Sequence, residues 1–116
     1  MQRVLLAEDD ATMVVLLKTL LKMEGYQVSA LDADADIVQA VLNEKPDVLL
    51  MDVHLLHYNG IEELTKLRAA PGGETVRVVM TSGLDFKDQC LERGANVFIQ
   101  KPFMPDDLLA AIRSTG

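Results

Sequence analysis

Val48-Leu49-Leu50-Met51-Asp52 is an unbroken apolar run that stops on a carboxylate. A strand with one face in water alternates apolar and polar residues, whereas a strand covered on both faces does not. The run therefore predicts a strand buried on both sides, with Pro46-Asp47 punctuating the chain just before it. The same pattern occurs near the amino terminus, where Val4-Leu5-Leu6-Ala7 ends in Glu8-Asp9-Asp10. Strands of this kind belong to parallel sheets whose crossover helices cover both faces.

Between the two runs, Thr12–Met23 carries Met13, Leu16, Leu17, Leu20 and Leu21 at helical spacing on one face, with Gly25 as its stop. Gln27–Leu31 predicts a short strand. Asp34–Asn43 predicts a helix that buries Ile37, Val38, Val41 and Leu42. Beyond the central run, Ile61–Ala69 predicts a third helix closed by Pro71-Gly72-Gly73. A fourth strand follows at Val76–Thr81, a fourth helix at Phe86–Arg93, and a fifth strand at Val97–Gln100. Pro105–Arg113 predicts a fifth helix, with proline at a favoured first-turn position. Five strands alternating with five helices specify an α/β fold: a doubly wound, five-stranded parallel sheet with helices on both faces.

The 116 residues leave room for one domain, expected to span 1–116, either stand-alone or excised from a longer protein. A net charge of −7 excludes a nucleic-acid surface built from clustered Lys and Arg. No apolar run approaches the ~20 residues needed to span a bilayer. The amino-terminal run is also too short for a signal peptide, so the expected location is cytoplasmic. The single cysteine, Cys90, rules out an internal disulfide and is expected to be a half-buried small apolar residue rather than a reactive thiol.

In open α/β sheets, ligands bind beyond the carboxyl ends of the strands. Those ends deliver Glu8, Asp9 and Asp10 from the first strand and Asp52 from the third. The fourth delivers Thr81 and Ser82, and the fifth Lys101. An acid beside a helix start ordinarily does no more than complement the helix dipole, which explains one of these carboxylates but not four. Crowded carboxylates repel, a divalent cation relieves the repulsion, and a few hard oxygen ligands suit Mg²⁺. No ligand ladder of the kind Ca²⁺ requires is present. A carboxylate such as Asp52 can act as a nucleophile toward phosphorus. Transfer to it then depends on positioning and on neutralising the phosphoryl oxygens, which Mg²⁺ and the Lys101 ammonium can do from two sides. His54 and His57 form a His-x-x-His pair, but two ligands without a third are read as exposed loop histidines.

The whole chain resembles the response-regulator receiver domain of two-component signalling. The residues that carry the resemblance are Val4-Leu5-Leu6-Ala7-Glu8-Asp9-Asp10, Asp52 with Gly60 eight residues on, Val79-Met80-Thr81-Ser82-Gly83, Gly94-Ala95 and Lys101-Pro102-Phe103. No one of these is specific; their order and spacing together are. The resemblance implies the flavodoxin-like strand order 2-1-3-4-5 and makes Asp52 the phosphoacceptor. It makes Asp9 a direct Mg²⁺ ligand, Glu8 a ligand through water, and the His54 carbonyl a further one. It gives Lys101 the place of the family's lysine, Lys101-Pro102 a cis peptide bond, and Phe98 the place of the aromatic switch. Asp10 falls outside the acidic pair and is a helix-start residue. The switch hydroxyl is Ser82, with Thr81 as the alternative. One departure is Leu56, where the family usually has proline; the fourth helix region is also shorter than usual.

The function implied is a phosphorylation-dependent switch. Asp52 takes a phosphoryl group from the phosphohistidine of a sensor histidine kinase or phosphotransfer protein, and the surface of the fourth helix, fifth strand and fifth helix responds. The output domain or target is unspecified, and a phosphorylation-dependent homodimer is a further expectation. No membrane partner is expected, and no enzyme beyond self-phosphorylation and dephosphorylation. The alternatives are a receiver-like interaction module that is never phosphorylated, and an Asp-nucleophile phosphohydrolase. Such hydrolases commonly carry a second acid two residues after the nucleophile, where this chain has His54.

Overall fold

The computed structural model describes residues 2–114. In chain order it runs β1 (Arg3–Ala7), α1 (Ala11–Met23), β2 (Gln27–Ala30), α2 (Ile37–Glu44) and β3 (Val48–Asp52). Then come α3 (Gly60–Ala69), β4 (Arg77–Ser82), α4 (Lys87–Glu92), β5 (Val97–Gln100) and α5 (Pro105–Ser114). The strands form one parallel sheet in the order β2-β1-β3-β4-β5, the doubly wound order that the resemblance implied.

The pleat divides the core in two. Leu5, Ala7, Leu49, Met51, Val78 and Met80 pack with Ile37 and Val41 of α2, Leu64 and Leu67 of α3, and Cys90 of α4. Val4, Leu6, Val48, Leu50 and Val79 pack with Leu17 and Leu21 of α1 and with Leu108 and Ile112 of α5. Every residue of β3 is buried, as coverage of both faces requires. Full burial of one such side chain is worth about 1.5–3 kcal/mol, which is why β3 carries no polar residue before Asp52. Cys90 is fully rather than half buried, and burial pushes its thiol up to about 11.

Several element ends differ from the sequence expectation, each for a local reason. Helix α2 starts at Ile37 instead of Asp34, because the Asp36 carboxylate caps it by accepting from Gln39 N at 3.1 Å. Strand β4 covers Arg77–Ser82 instead of Val76–Thr81, because Lys101 N donates to the Ser82 carbonyl at 2.8 Å and carries the ladder one residue on. Helix α4 is trimmed to six residues. Leu16, expected on the buried face of α1, is 56% exposed. The helix seats Leu17 and Leu21 on the sheet with Met13 and Leu20 beside them, and Leu16 is turned out past that line.

The strand order reverses at β1, which has β2 on one side and β3 on the other. The crevice beyond the ends of β1 and β3 is thus the place where such folds bind ligands.

Candidate functional site

Strands β1 and β3 run in register, Ala7 beside Met51, so Glu8 and Asp52 leave the sheet as neighbours. Both are only 9% exposed. Lys101 follows β5, and its Nζ lies 2.6 Å from Glu8 Oε1 and 2.6 Å from Asp52 Oδ2. Since β4 separates β5 from β3, the lysine stem reaches across the end of β4 to make this pairing. The Lys101-Pro102 peptide is cis, as the resemblance implied.

Burial raises the Glu8 carboxyl above the usual carboxylate range, and its hydrogen bond to Lys101 offsets this only in part. Burial also works against the Lys101 ammonium. Its hydrogen bonds to Asp52 and Glu8 outweigh that and hold it above the ordinary lysine value. The ammonium therefore stays charged between the two carboxyl groups.

The remaining oxygens also have donors. Asp52 Oδ1 accepts from His54 N at 3.0 Å, and Glu8 Oε2 accepts from Asp9 N at 3.1 Å. Asp9 is exposed, and its Oδ2 accepts from the backbone N–H of Leu56. Asp10 caps α1 by accepting from Met13 N at 3.1 Å, which is the helix-start role expected of it. The structure thus brings Glu8, Asp52 and Lys101 together, while Asp9 bonds to the loop after β3. Among the described residues, no three His, Cys, Asp or Glu side chains are placed to hold a metal ion. The donor types still fit a hard cation, since two adjacent strand ends supply three carboxylates, Glu8, Asp9 and Asp52.

The loop after β3 is held by its own backbone. Leu55 N donates to Tyr58 O at 3.2 Å and Gly60 N to Val53 O at 2.7 Å, so the His54 carbonyl takes no part in this bridge. Asn59 caps α3 through Ile61 N and Glu62 N. Gly60 is glycine for a steric reason, since a Cβ there would strike the Asp52 carbonyl and Val53 Cα.

Thr81 and Ser82 are both buried. Thr81 is the register partner of Asp52. Ser82 has the pleat parity of Met80, which pairs with Phe98 on β5. Met80 and the partly buried Phe98 belong to the same core layer. Ser82 Oγ accepts from Leu84 N at 3.1 Å, which leaves its hydroxyl proton free to be donated elsewhere. The two loop histidines have separate partners. The His54 ring meets Phe86 edge-on with centroids 5.5 Å apart, and His57 Nε2 lies 3.0 Å from Asp34 Oδ1. They form no metal pair. The site residue that side-chain motifs do not reveal is Leu56, whose contribution is a backbone N–H; the departure from proline at that position was the available signal.

Residues 4–113 match the family model of the response regulator receiver domain. The chain belongs to that family. This receiver domain is similar to the DNA-binding response regulator MtrA of Mycobacterium tuberculosis, with 35% identity over 115 residues, 97% of this chain and 50% of MtrA. It is likewise similar to the transcriptional regulatory protein CpxR of Escherichia coli, with 35% identity over 116 residues, 98% of this chain and 49% of CpxR. The chain spans about half the length of these curated relatives. Among solved structures, a putative response regulator from Chloroflexus aurantiacus superposes with a TM-score of 0.90 at 28% identity, covering 98% of this chain and 96% of that one. The receiver domain of a Pseudomonas aeruginosa sensor histidine kinase, solved with a magnesium ion in its active-site cleft, gives 0.85 at 26% identity, covering 97% and 95%. Among the described residues of this receiver domain, no helix is long and apolar enough to cross a membrane.

Proposed function

We propose that this receiver domain is a signalling switch in which Asp52 accepts a phosphoryl group from the phosphohistidine of a kinase or phosphotransfer protein. The observation that carries the reading is the Lys101 ammonium held at 2.6 Å from both Glu8 and Asp52, at the strand-order reversal. An Asp52 oxygen attacks phosphorus, the phosphorus–nitrogen bond breaks, and the imidazole leaves with the bonding pair. Lys101 is already placed to follow the negative charge from the carboxylate onto a phosphoryl oxygen.

Glu8, Asp9, Asp52 and the His54 carbonyl are the groups that would hold Mg²⁺. When bound, the ion supplies charge neutralisation at the phosphoryl oxygens that Lys101 does not reach. Chemistry is confined to the phosphorylation of Asp52 and its loss. The family places such domains in cytoplasmic two-component pathways, and we assign this chain the same location. MtrA and CpxR are described as DNA-binding or transcriptional regulators. The net charge of −7 does not suit this domain to bind nucleic acid itself.

The relay runs through Ser82. A phosphoryl group adds about −1.5 to −2 charge and three acceptor oxygens. The Ser82 hydroxyl donates to one of them by swinging toward Asp52, and Phe98, which shares its layer, turns into the space released. The surface of α4, β5 and α5 changes with it, and a target or a second copy of the chain reads the change. One charge-assisted hydrogen bond supplies a bias of about 1.5–3 kcal/mol, so both states exist before phosphorylation.

Incubation with a small-molecule phosphodonor and Mg²⁺ should label the wild type with an acid-stable, hydroxylamine-labile group, and Asp52→Asn should take up none. Full labelling of that variant would mean another residue is the acceptor. Ser82→Ala should still accept phosphoryl groups but lose most of the NMR shift change across residues 86–112 on adding a beryllofluoride mimic. If Thr81→Ala is the variant that loses it, the hydroxyl assignment moves to Thr81.

A further inference from the structure

Helix α2 ends on a residue in a strained conformation. Lys45 closes it with φ 50° and ψ 56°, in the left-handed region, while its N–H donates to Val41 O at 2.9 Å. Glycine makes this turn without a steric clash, because it has no Cβ to meet the backbone. Among the described residues, Lys45 is the one non-glycine residue with a positive φ. Strain kept at a single position points to a use for the side chain that stands there.

Lys45 lines a cavity of about 590 Å³ at the amino-terminal edge of the sheet, the edge opposite Asp52. That volume lies within the range of small-molecule sites. Val41 and Leu42 of α2 and Val76 before β4 give it an apolar wall, and Arg77 brings a second cation. The two cations have no carboxylate partner among the described residues: Lys45 makes no side-chain bond, and Arg77 pairs with the neutral Gln2 Oε1 at 3.2 Å. The carboxylate in the lining is Asp47, whose Oδ2 accepts from Arg3 N at 2.7 Å. In a chain with 18 acids and 11 Lys and Arg, two cations without a carboxylate in one cavity are against the trend. A guanidinium forks onto two oxygens of a phosphate or carboxylate, and an ammonium adds a point charge.

We infer that this cavity binds a small organic anion, an apolar body against Val41, Leu42 and Val76 with one phosphate or carboxylate held between Lys45 and Arg77. Doubly wound sheets ordinarily take ligands at the carboxyl edge, so this second site stands apart from the Asp52 crevice and does not rest on its chemistry.

The test is an amide NMR titration of the chain with phenyl phosphate and, separately, with benzoate. The amides of Lys45, Asp47, Thr75 and Arg77 should shift saturably with a Kd of about 1 mM, and the tighter of the two probes identifies the head group. Lys45→Gly removes the cation and the backbone strain together. It should weaken binding about tenfold and yet melt no lower than wild type. Arg77→Gln should weaken binding to a similar extent, and Lys45→Arg should keep it. No saturable shift with either probe overturns the inference, as do shifts confined to Asp52, Ser82 and Lys101. Unchanged affinity in Lys45→Gly and Arg77→Gln overturns it as well. If Arg77→Gln does not fold, Lys45→Gly decides alone.

Discussion

At the amino-terminal edge of β4 and β5, the Arg68 guanidinium donates to the carbonyls of Gly94 at 2.9 Å, Gly73 at 2.9 Å and Val76 at 2.7 Å, and to Asn96 Oδ1 at 3.1 Å. At the carboxyl edge of the same sheet, the Lys101 ammonium sits between two carboxylates. Arg68 ties four neutral acceptors from two chain segments, the loop before β4 and the turn before β5, and Asn96 Oδ1 also takes Val78 N at 2.8 Å. Gly94 leaves room for it, since a Cβ there would come within 2.9 Å of Arg68 Cγ. Burial lowers the Arg68 pKa, yet a guanidinium stays charged. The first edge closes a network in which nothing repels. The second keeps like charges close around one ammonium, the balance that the proposed cation or phosphoryl group would shift. One edge holds the fold and the other is kept adjustable.

That contrast breaks most visibly at Arg68. Arg68→Ala orphans several carbonyls together and should cost about 2–4 kcal/mol in urea unfolding, with Asp52 chemistry intact in the folded fraction. A smaller loss would mean water replaces the guanidinium freely. Glu8→Gln should act in the opposite direction. The folded Glu8 carboxyl titrates above its unfolded value of 4.5. Its ionisation therefore costs the fold nothing below that value, and the cost grows as pH rises through the folded pKa. The variant should be more stable than wild type at pH 7 by up to about 1 kcal/mol, with the gain fading near pH 4. A loss at pH 7 would show the carboxyl edge to be as well compensated as the other. The smallest effect belongs to His57→Ala. Its partner Asp34 is 89% exposed, so stability should move by less than about 0.5 kcal/mol, and a larger change would mean that this pair docks the loop.

Much of the fold was legible because burial leaves its mark on composition. Val4–Ala7 and Val48–Met51 are apolar throughout because helices lie on both sides of them. The alternation of elements led to a parallel sheet, while the order 2-1-3-4-5 came only through the family resemblance. Local rules fail where several residues compete for one role. Asp32, Asp34 and Asp36 can each start a helix, and only the structure shows Asp36 capping. Leu16 and Leu17 are both apolar and adjacent, and only the structure shows that Leu17 is the one seated on the sheet. The convergence of Glu8, Asp52 and Lys101 followed from their places at strand ends. Arg68 and the Leu56 amide left no such mark. One is an ordinary helix-surface residue until its distant acceptors are known, and the other acts through a group every non-proline residue has.

Cys90 turns the buried layer under α4 into a clock. Its thiol is fully enclosed and its pKa stands near 11, so an alkylating reagent meets almost no thiolate while the helix stays seated. Modification then proceeds only through moments when α4 lifts from Met80 and Leu67, and the reaction rate counts those moments. Because α4 borders the surface proposed to carry the signal, one reagent and a mass spectrometer can time how often that surface opens with and without the phosphodonor that should load Asp52.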